Sequence, residues 1–430
     1  MLTTLIFVVA SLGDLPPAPD IPVHKEPLSL DQALDYAEAN NERMGLAAAN
    51  VESARATWWN ALSALLPTVQ VSGTYTRRAF EVVVDDVQFQ RFNALGATGE
   101  AQVDLIKPDA YPRVSAASEQ IHAAESDAKQ ERLALRFDAA EQFFATLAAE
   151  RVAEAARRRV EVAQAAVDDA SERFRAGLAA GNTVTRAELE LATARVTATE
   201  TENEAQIARL TLSFTLGVDV LGELVEPKAV ASASEDSQRL FQLARGERFD
   251  LEALRYRKDA AEVATLAPKL DWLPELSLRG VYTATNEPAF IGRDTNWNIF
   301  ATLGWQLFDG GVRIADAIET SAALRRFELE IRSLERDVRL RIENQLRQIK
   351  TSRALVAEAE ARLALASRNA DEVKQRLQAG LSTGLEAADA AASLFDAQAE
   401  LERQRFEARI AELGLRREVA SDPLEPVQLQ

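Results

Sequence analysis

The stock of side chains able to do acid–base or covalent chemistry is small. His24 stands in a proline-rich stretch, His122 stands alone in a helical one, and the chain has no cysteine. No phosphate-cradling Gly-Lys motif and no paired nucleophile and base appears. Neighbouring acids such as Asp168-Asp169 fit a solvated helix face better than an acid/base dyad. These residues point to no catalytic, cofactor-binding or metal-ligating site, and the chain is expected not to be an enzyme. The absent thiols exclude disulfides, thiolate metal sites and a lipid-modified N-terminal cysteine. Two methionines and two histidines offer little to a soft-metal relay, and a formal charge of −18 argues against a nucleic-acid partner.

The chemistry that remains is interfacial. Trp297, Ile299, Ala301, Leu303, Trp305 and Leu307 alternate with Asn298, Thr302, Gly304 and Gln306, giving a strand over Asn296 to Phe308 with one apolar and one polar face. The two tryptophans lie roughly 26 Å apart along such a strand, close to the apolar band of an outer-membrane barrel between its aromatic girdles. For this strand alone, a soluble sheet packed on helices would serve equally well.

The elements that would position this strand occur twice. Leu66-Pro67-x-Val69-x-Val71-x-Gly73-x-Tyr75-Thr76 falls on Leu273-Pro274-x-Leu276-x-Leu278-x-Gly280-x-Tyr282-Thr283, and Arg175-Ala176-Gly177-Leu178 falls near Gln378-Ala379-Gly380-Leu381. A repeat on this scale decides the architecture. In the first copy, helical spacing over Leu30 to Leu66 stops at Pro67, a strand runs from Thr68 to Arg78, a loop surrounds Asp85 to Gly96, and a second strand is expected near Thr98 to Ile106. In the second copy the order is a helix over Gln238 to Leu270, strands Glu275 to Thr285 and Asn296 to Phe308, and the turn Asp309-Gly310-Gly311.

Each copy then continues into a helical hairpin. No proline lies between Pro112 and Pro227, and Gly177 and Gly181 mark the first turn. Val160, Ala163, Val167, Ala170 and Phe174 form a coiled-coil seam, and the second arm runs from about Thr183 to Leu216. The second hairpin has a stricter seam through Val356, Ala359, Leu363, Ala366, Ala370, Val373 and Leu377, and turns at Gly380 to Gly384. An arm of about 60 residues would extend roughly 90 Å. The expected organisation is therefore 1–27 as a signal segment and tether, 28–236 and 237–416 as two structural repeats, and 417–430 as a tail. The apolar run Leu2 to Leu12 reads as a secretory h-region without a basic n-region, with a buried strand as the alternative.

Four strands cannot close a barrel, and a bilayer tolerates no unpaired strand edge. The barrel must be shared between copies. Three would give twelve strands around a lumen, whereas two would give eight, whose side chains tend to fill the interior. The fold class expected is mainly α, with duplicated long hairpins forming a tunnel and four strands per chain contributing to a shared trimeric barrel. A structural coiled-coil protein of the cell envelope is the alternative, one that leaves the strands unexplained.

Leu28-Ser29-Leu30-Asp31-Gln32-Ala33-Leu34-x-x-Ala37-x-x-Asn40-Asn41, the strand entry Leu65-Leu66-Pro67-x-Val69-x-Val71-x-Gly73-x-Tyr75, the turn Leu307-Phe308-Asp309-Gly310-Gly311 and the duplicated hairpins together resemble the TolC-type outer-membrane efflux proteins over nearly the whole chain. The resemblance implies a homotrimer in outer-membrane lipid with most of each chain in the periplasm. It also implies docking to a periplasmic adaptor and an inner-membrane pump or ABC transporter, with drug efflux, metal efflux and type I protein secretion all open, and no cofactor. It places Glu386 and Asp389 where the family narrows its periplasmic end with acids, and Thr183 at the matching position of the first hairpin. Threefold rings of carboxylates would favour cations. Acids at a helix N-terminus also suit the helix dipole, which is the alternative for both. Leu377 and Ser382 occupy the places of the family's gate tyrosine and arginine. Tyr75, Tyr282, Trp297 and Trp305 would form the girdles, with Ile299 and Leu303 facing lipid.

Overall fold

The structure, a computed structural model, describes residues 22–84, 87–227, 236–287 and 293–424. The apolar run Leu2 to Leu12 and nearly all of the tether lie outside them. The described part divides into two compact units. One comprises residues up to Met44, Arg132–Leu243 and Arg341 onward; the other comprises Gly45–Glu131 and Ala244–Leu340. Each unit therefore draws on both halves of the sequence.

The first unit holds β1 (Val23–His24), α1 (Leu30–Asn40), α4 (Gly181–Leu216), β6 (Asp219–Val220), α9 (Gly384–Glu418) and the distal parts of α3 (Ala110–Arg175) and α8 (Val312–Gln378). Alanine dominates the contacts among its long helices. Ala155 and Ala156 of α3 pack with Ala198 of α4 and with Phe395 and Ala399 of α9, flanked by Val152 and Val160. One seam residue on, Ala163 meets Leu191 and Ala194. Small side chains at a helix seam let backbones approach closely, and Arg159 ties the three helices together. Its guanidinium pairs with Glu190 at 2.5 Å and lies over the Phe395 ring at 5.5 Å. Thr146, fully buried on α3, donates to Gln142 O of its own helix and to Ala208 O of α4. Along α8, Ala359 is buried and the other seam positions from Val356 to Leu377 are half-buried, while most of the remaining surface there is exposed.

The second unit holds α2 (Glu42–Ser63) apart from its first residues, β2 (Thr68–Arg77), β3 (Val82–Val84), β4 (Val87–Gln90), β5 (Asn93–Ile106), α6 (Phe249–Ala264), α7 (Ala267–Leu270), β7 (Glu275–Thr285), β8 (Thr295–Gly304) and the first parts of α3 and α8, while α5 (Ser237–Glu247) is divided, its larger part in the first unit. Strands β2-β5-β7-β8 form one antiparallel sheet in that order, and β3 and β4 form a small separate hairpin.

Several boundaries differ from the sequence reading. The expected loop from Asp85 to Gly96 contains β4 and the start of β5, because Asn93, Ala94, Leu95 and Gly96 pair with Arg77, Thr76, Tyr75 and Thr74. Gly96 looks like a loop residue, but a Cβ there would lie 2.9 Å from Thr74 Oγ1, so the glycine permits the cross-strand fit. Strand β8 stops at Gly304 rather than Phe308, leaving Trp305 outside the ladder. There Gln306 O accepts from Arg313 Nη1 at 2.7 Å and the chain turns into α8. The helix expected over Leu30 to Leu66 is interrupted at Asn41, whose extended backbone ends α1. Its side chain then accepts from Arg43 N–H to start α2 and donates to Thr215 O. The helix expected over Gln238 to Leu270 is three segments, broken at Arg248 and again at Thr265–Leu266. The Arg248 guanidinium is buried against Asp250 at 2.6 Å, which fixes the bend.

Candidate functional site

The two hairpin turns close in the same way. Helix α3 ends at Arg175 and Gly177 takes φ +72°, with Leu178 N–H donating to Arg173 O at 2.8 Å. Helix α8 ends at Gln378 and Gly380 takes φ +72°, with Leu381 N–H donating to Arg376 O at 2.8 Å. Both are Schellman-type ends, in which the left-handed residue favours glycine. Leu178 and Leu381 project from the turns, 80% and 72% exposed. Gly181 and Gly384 then open α4 and α9. A Cβ on Gly384 would meet Ala166 O at 3.1 Å and Asp169 Oδ2 at 3.2 Å, so the first turn of α9 lies directly on α3.

The return helices start differently. Thr383 caps α9 in a full capping box with Glu386, whereas the cap of α4 is Ala180, which has no side chain to contribute. Glu386 accepts from Thr383 N–H at 3.1 Å and from the buried Ser382 hydroxyl. The Ser382 hydrogen bond foremost, then the Thr383 N–H and the more distant Arg376 charge, hold the Glu386 carboxyl below its ordinary range despite some desolvation. The Ser382 hydroxyl thus serves Glu386 of its own chain. Asp389 lies one turn further along α9 and is exposed. Thr183, in the position equivalent to Glu386, is half-buried, and its backbone N–H donates to Ala180 O.

The sheet carries the second group of expected residues. Its register puts one set of side chains into six successive cross-strand rows on one face. From the helix end outward these are Ile106·Leu276·Leu303, Val103·Leu278·Ala301, Val69·Ala101·Gly280·Ile299, Val71·Gly99·Tyr282·Trp297, Gly73·Ala97·Ala284·Thr295 and Tyr75·Leu95, with Arg77·Asn93 beyond. Every one of these rows is apolar or small apart from Thr295. The face is nonetheless open: Val71 is 79% exposed, Trp297 and Leu303 68% each. The opposite face carries Gln70, Ser72, Thr74, Thr98, Glu100, Gln102, Arg279 and Asn298, with Arg279 paired to Glu100 at 2.6 Å. Phe300 is an aromatic on this polar face that the sequence reading passed over.

Aromatic residues mark both ends of the apolar face. Tyr75 OH donates to Asn93 Oδ1 at 2.9 Å at the outer end. At the helix end Trp305 Nε1 donates to Trp272 O at 3.0 Å, and Trp272 lies under the Arg313 guanidinium at 4.8 Å from its ring centre. Trp272 was missed in the sequence because it precedes the strand instead of alternating within it. Arg313 is almost fully buried and bonds Asp271 at 2.7 Å, while Asp309 caps α8 through the N–H groups of Gly311 and Arg313. Those two N–H groups, that of Arg313 foremost, hold the Asp309 carboxyl below its ordinary range. No helix among the described residues is long and apolar enough to cross a membrane.

The comparisons with known proteins agree with this geometry. The model of the outer membrane efflux protein family matches residues 33–218 and 240–420. The Campylobacter jejuni CmeC outer membrane channel is similar over 93% of this chain and 87% of its own, with TM-score 0.78 and 16% identity. The Vibrio cholerae outer membrane protein VceC is similar over 91% and 96%, with TM-score 0.72 and 17% identity. The open state of the Neisseria gonorrhoeae MtrE outer membrane channel is similar over 93% and 90%, with TM-score 0.70 and 16% identity. Among curated proteins, none matches the sequence. At these identities the solved structures speak for the fold, long helical hairpins with a small strand region, and the family match covers most of the chain: it belongs to the outer membrane efflux protein family.

Proposed function

We propose that three copies of this chain form a passive duct across the outer membrane, a twelve-stranded barrel continued by an α-helical tunnel in the periplasm. The observation that carries the reading is the two-faced sheet with two open edges. Strands β2, β5, β7 and β8 alternate in direction, so β8 of one copy and β2 of the next run antiparallel and can pair. A closed ring satisfies every edge, which a bilayer requires. Six rows are five steps of two residues, about 33 Å along the strands, and a tilt of roughly 40° projects that to about 25 Å, the height of an outer-membrane apolar band. The polar face then lines the lumen. A soluble coiled-coil scaffold would leave this broad apolar face in water, which is costly and promotes aggregation.

On this reading the duct serves a tripartite efflux or type I secretion system and takes its energy from an inner-membrane pump or ABC transporter through a periplasmic adaptor. The exposed Leu178 and Leu381 at the hairpin turns offer the adaptor an apolar foothold. Glu386 and Asp389, repeated three times, give the entrance a negative ring that favours cations. The exposed stripe Leu189, Val196, Leu210 and Phe214 on α4 offers an apolar face to a neighbouring copy.

The test is mass in detergent together with conductance in planar bilayers. A trimer forming stable cation-preferring channels is expected. A monomeric elongated particle that does not insert would return the helices to a scaffold role.

A further inference from the structure

We infer that a hard divalent cation, of the calcium class, binds where the strands of the sheet turn into helices, held by Asp109, Asp271 and Glu275. Each of these carboxylates places an oxygen within 4.8 Å of the other two. Oxygens that ligate one calcium ion at about 2.3 to 2.6 Å lie no more than about 5 Å from one another, so this spacing is compatible with a shared ion. Asp109 comes from the β5–α3 junction of the first repeat, and Asp271 and Glu275 from the α7–β7 junction of the second. An ion there would clasp the two repeats together at the base of the sheet.

Proximity of acids is not enough, and the argument rests on the state of Asp109. Its residue is 6% exposed, and its Oδ1 is buried with no hydrogen-bond partner. A buried carboxylate oxygen without a donor is costly, and native structures normally satisfy such an atom with a protein group, a water or an ion. Its other oxygen, Oδ2, is paired with the Arg113 guanidinium at 3.2 Å. Asp271 has the same arrangement, with Oδ2 held by Arg313 Nε at 2.7 Å and no hydrogen bond on Oδ1. Carboxylate ligands are typically oriented in this way by donors on the oxygen that does not face the metal. Among the described residues Glu275 makes no side-chain hydrogen bond or ion pair, so its carboxylate can complete the set.

Charge and access agree. Counting Asp309, which lies 3.6 Å from Arg313, four carboxylates face two guanidiniums, Arg113 and Arg313. The carboxylates thus outnumber the guanidiniums that pair with them at this junction. Burial grades from Asp109, buried, through Asp271, half-buried, to Glu275, exposed, which leaves a path for an ion and room for waters to fill its remaining positions. The donor set is all oxygen, which favours a hard cation over zinc or copper.

Trp272 adjoins Asp271 in the chain and provides an internal probe, because indole excitation sensitises terbium bound nearby. The full-length protein, purified in detergent, is titrated with Tb³⁺ under tryptophan excitation and then with Ca²⁺ as competitor. Emission saturating at one ion per chain and displaced by Ca²⁺ is expected. Glu275→Gln and Asp109→Asn should each weaken Tb³⁺ and Ca²⁺ binding about tenfold or more. Trp305 lies beside Trp272, its Nε1 donating to Trp272 O at 3.0 Å, so Trp272→Phe with Trp305→Phe should remove most emission while calorimetry still detects Ca²⁺ binding. Glu275 is exposed, so its substitution decides the matter if the Asp109 variant fails to fold. Absence of sensitised emission, or emission unmoved by Glu275→Gln, would place no ion at this junction and overturn the inference, as would full emission from a Trp272→Phe, Trp305→Phe double variant.

Discussion

The face assignment of the sheet makes a depth-dependent prediction along one strand. Ile299→Arg puts a charge in the third apolar row, beside Val69·Ala101·Gly280. Ile299 lies four residues outward from Leu303, about 13 Å along the strand and roughly 10 Å up an apolar band of about 25 Å, close to its middle. Arginine at the midplane of an outer-membrane barrel costs about 2–4 kcal/mol, falling to about 0–1 near the interfaces. Ile299→Arg should therefore lower barrel stability by about 2–4 kcal/mol per chain, and Leu303→Arg, in the row nearest the helices, by about 1 kcal/mol or less. Asn298→Arg, next to Ile299 but on the polar face, should be nearly neutral. The assay is reversible denaturant unfolding of the protein in lipid bilayers, with retention of the trimer on native gels as a second readout. Equal costs at Ile299 and Asn298 would refute the two-faced assignment. A Leu303 cost above that of Ile299 would refute the depth scale on which the barrel reading rests.

Three further outcomes follow from the hairpin turns. Gly384→Ala forces a methyl against backbone at 3.1 Å and should destabilise the α3–α9 contact by about 1–3 kcal/mol in thermal melts, whereas Gly246→Ala, with open space around it, should not. Thr383→Ala removes a capping box and should cost about 1 kcal/mol, while Ala180→Thr should add stability to α4, both read by amide exchange at the helix starts. Glu386 has a folded pKa below its ordinary 4.5, so its stabilising contribution is present above that value and lost as pH falls through the lower folded one. Glu386→Gln should accordingly flatten the acid side of the stability profile, and an unchanged profile would show the Ser382–Glu386 bond to be absent in solution.

The long elements were legible because their periodicity is strong. The α8 seam from Val356 to Leu377 and the alternation from Thr68 to Arg77 each follow a single period over many residues. What was illegible depended on distant partners. Gly96 reads as a turn residue until Thr74 is known to lie across from it. Asn41 reads as helical until Thr215 O is known to receive its amide. Strand β8 continues its alternation past Gly304 in the sequence, but Arg313 draws the Gln306 carbonyl out of the ladder. For the same reason Asp109, Asp271 and Glu275 carry no motif. The one local trace of that junction is the spacing Asp109…Arg113 and Asp309…Arg313, which recurs at the strand-to-helix turn of each repeat.

The duplicated hairpins have kept their ends and changed their beginnings, and this difference bears on how an entrance built from them would act. Glu386 is engaged by Thr383 N–H and the Ser382 hydroxyl, so its charge is fixed in place and already partly compensated by its own helix. Asp389 has no side-chain hydrogen bond or ion pair among the described residues and is exposed, so of the two acids it is the one a passing cation would meet with its charge least compensated. The first hairpin has Thr183 at the equivalent position and Ala180 at the cap, and contributes neither an acid nor a stabilised first turn. In a trimer the six return helices would alternate between capped ones bearing Glu386 and Asp389 and uncapped ones bearing the exposed Arg186 at the place equivalent to Asp389. Uncapped N–H groups fray more readily, so motion at such an entrance would begin in α4, while the net charge a passing ion meets would be set by α9 acids and α4 Arg186 together.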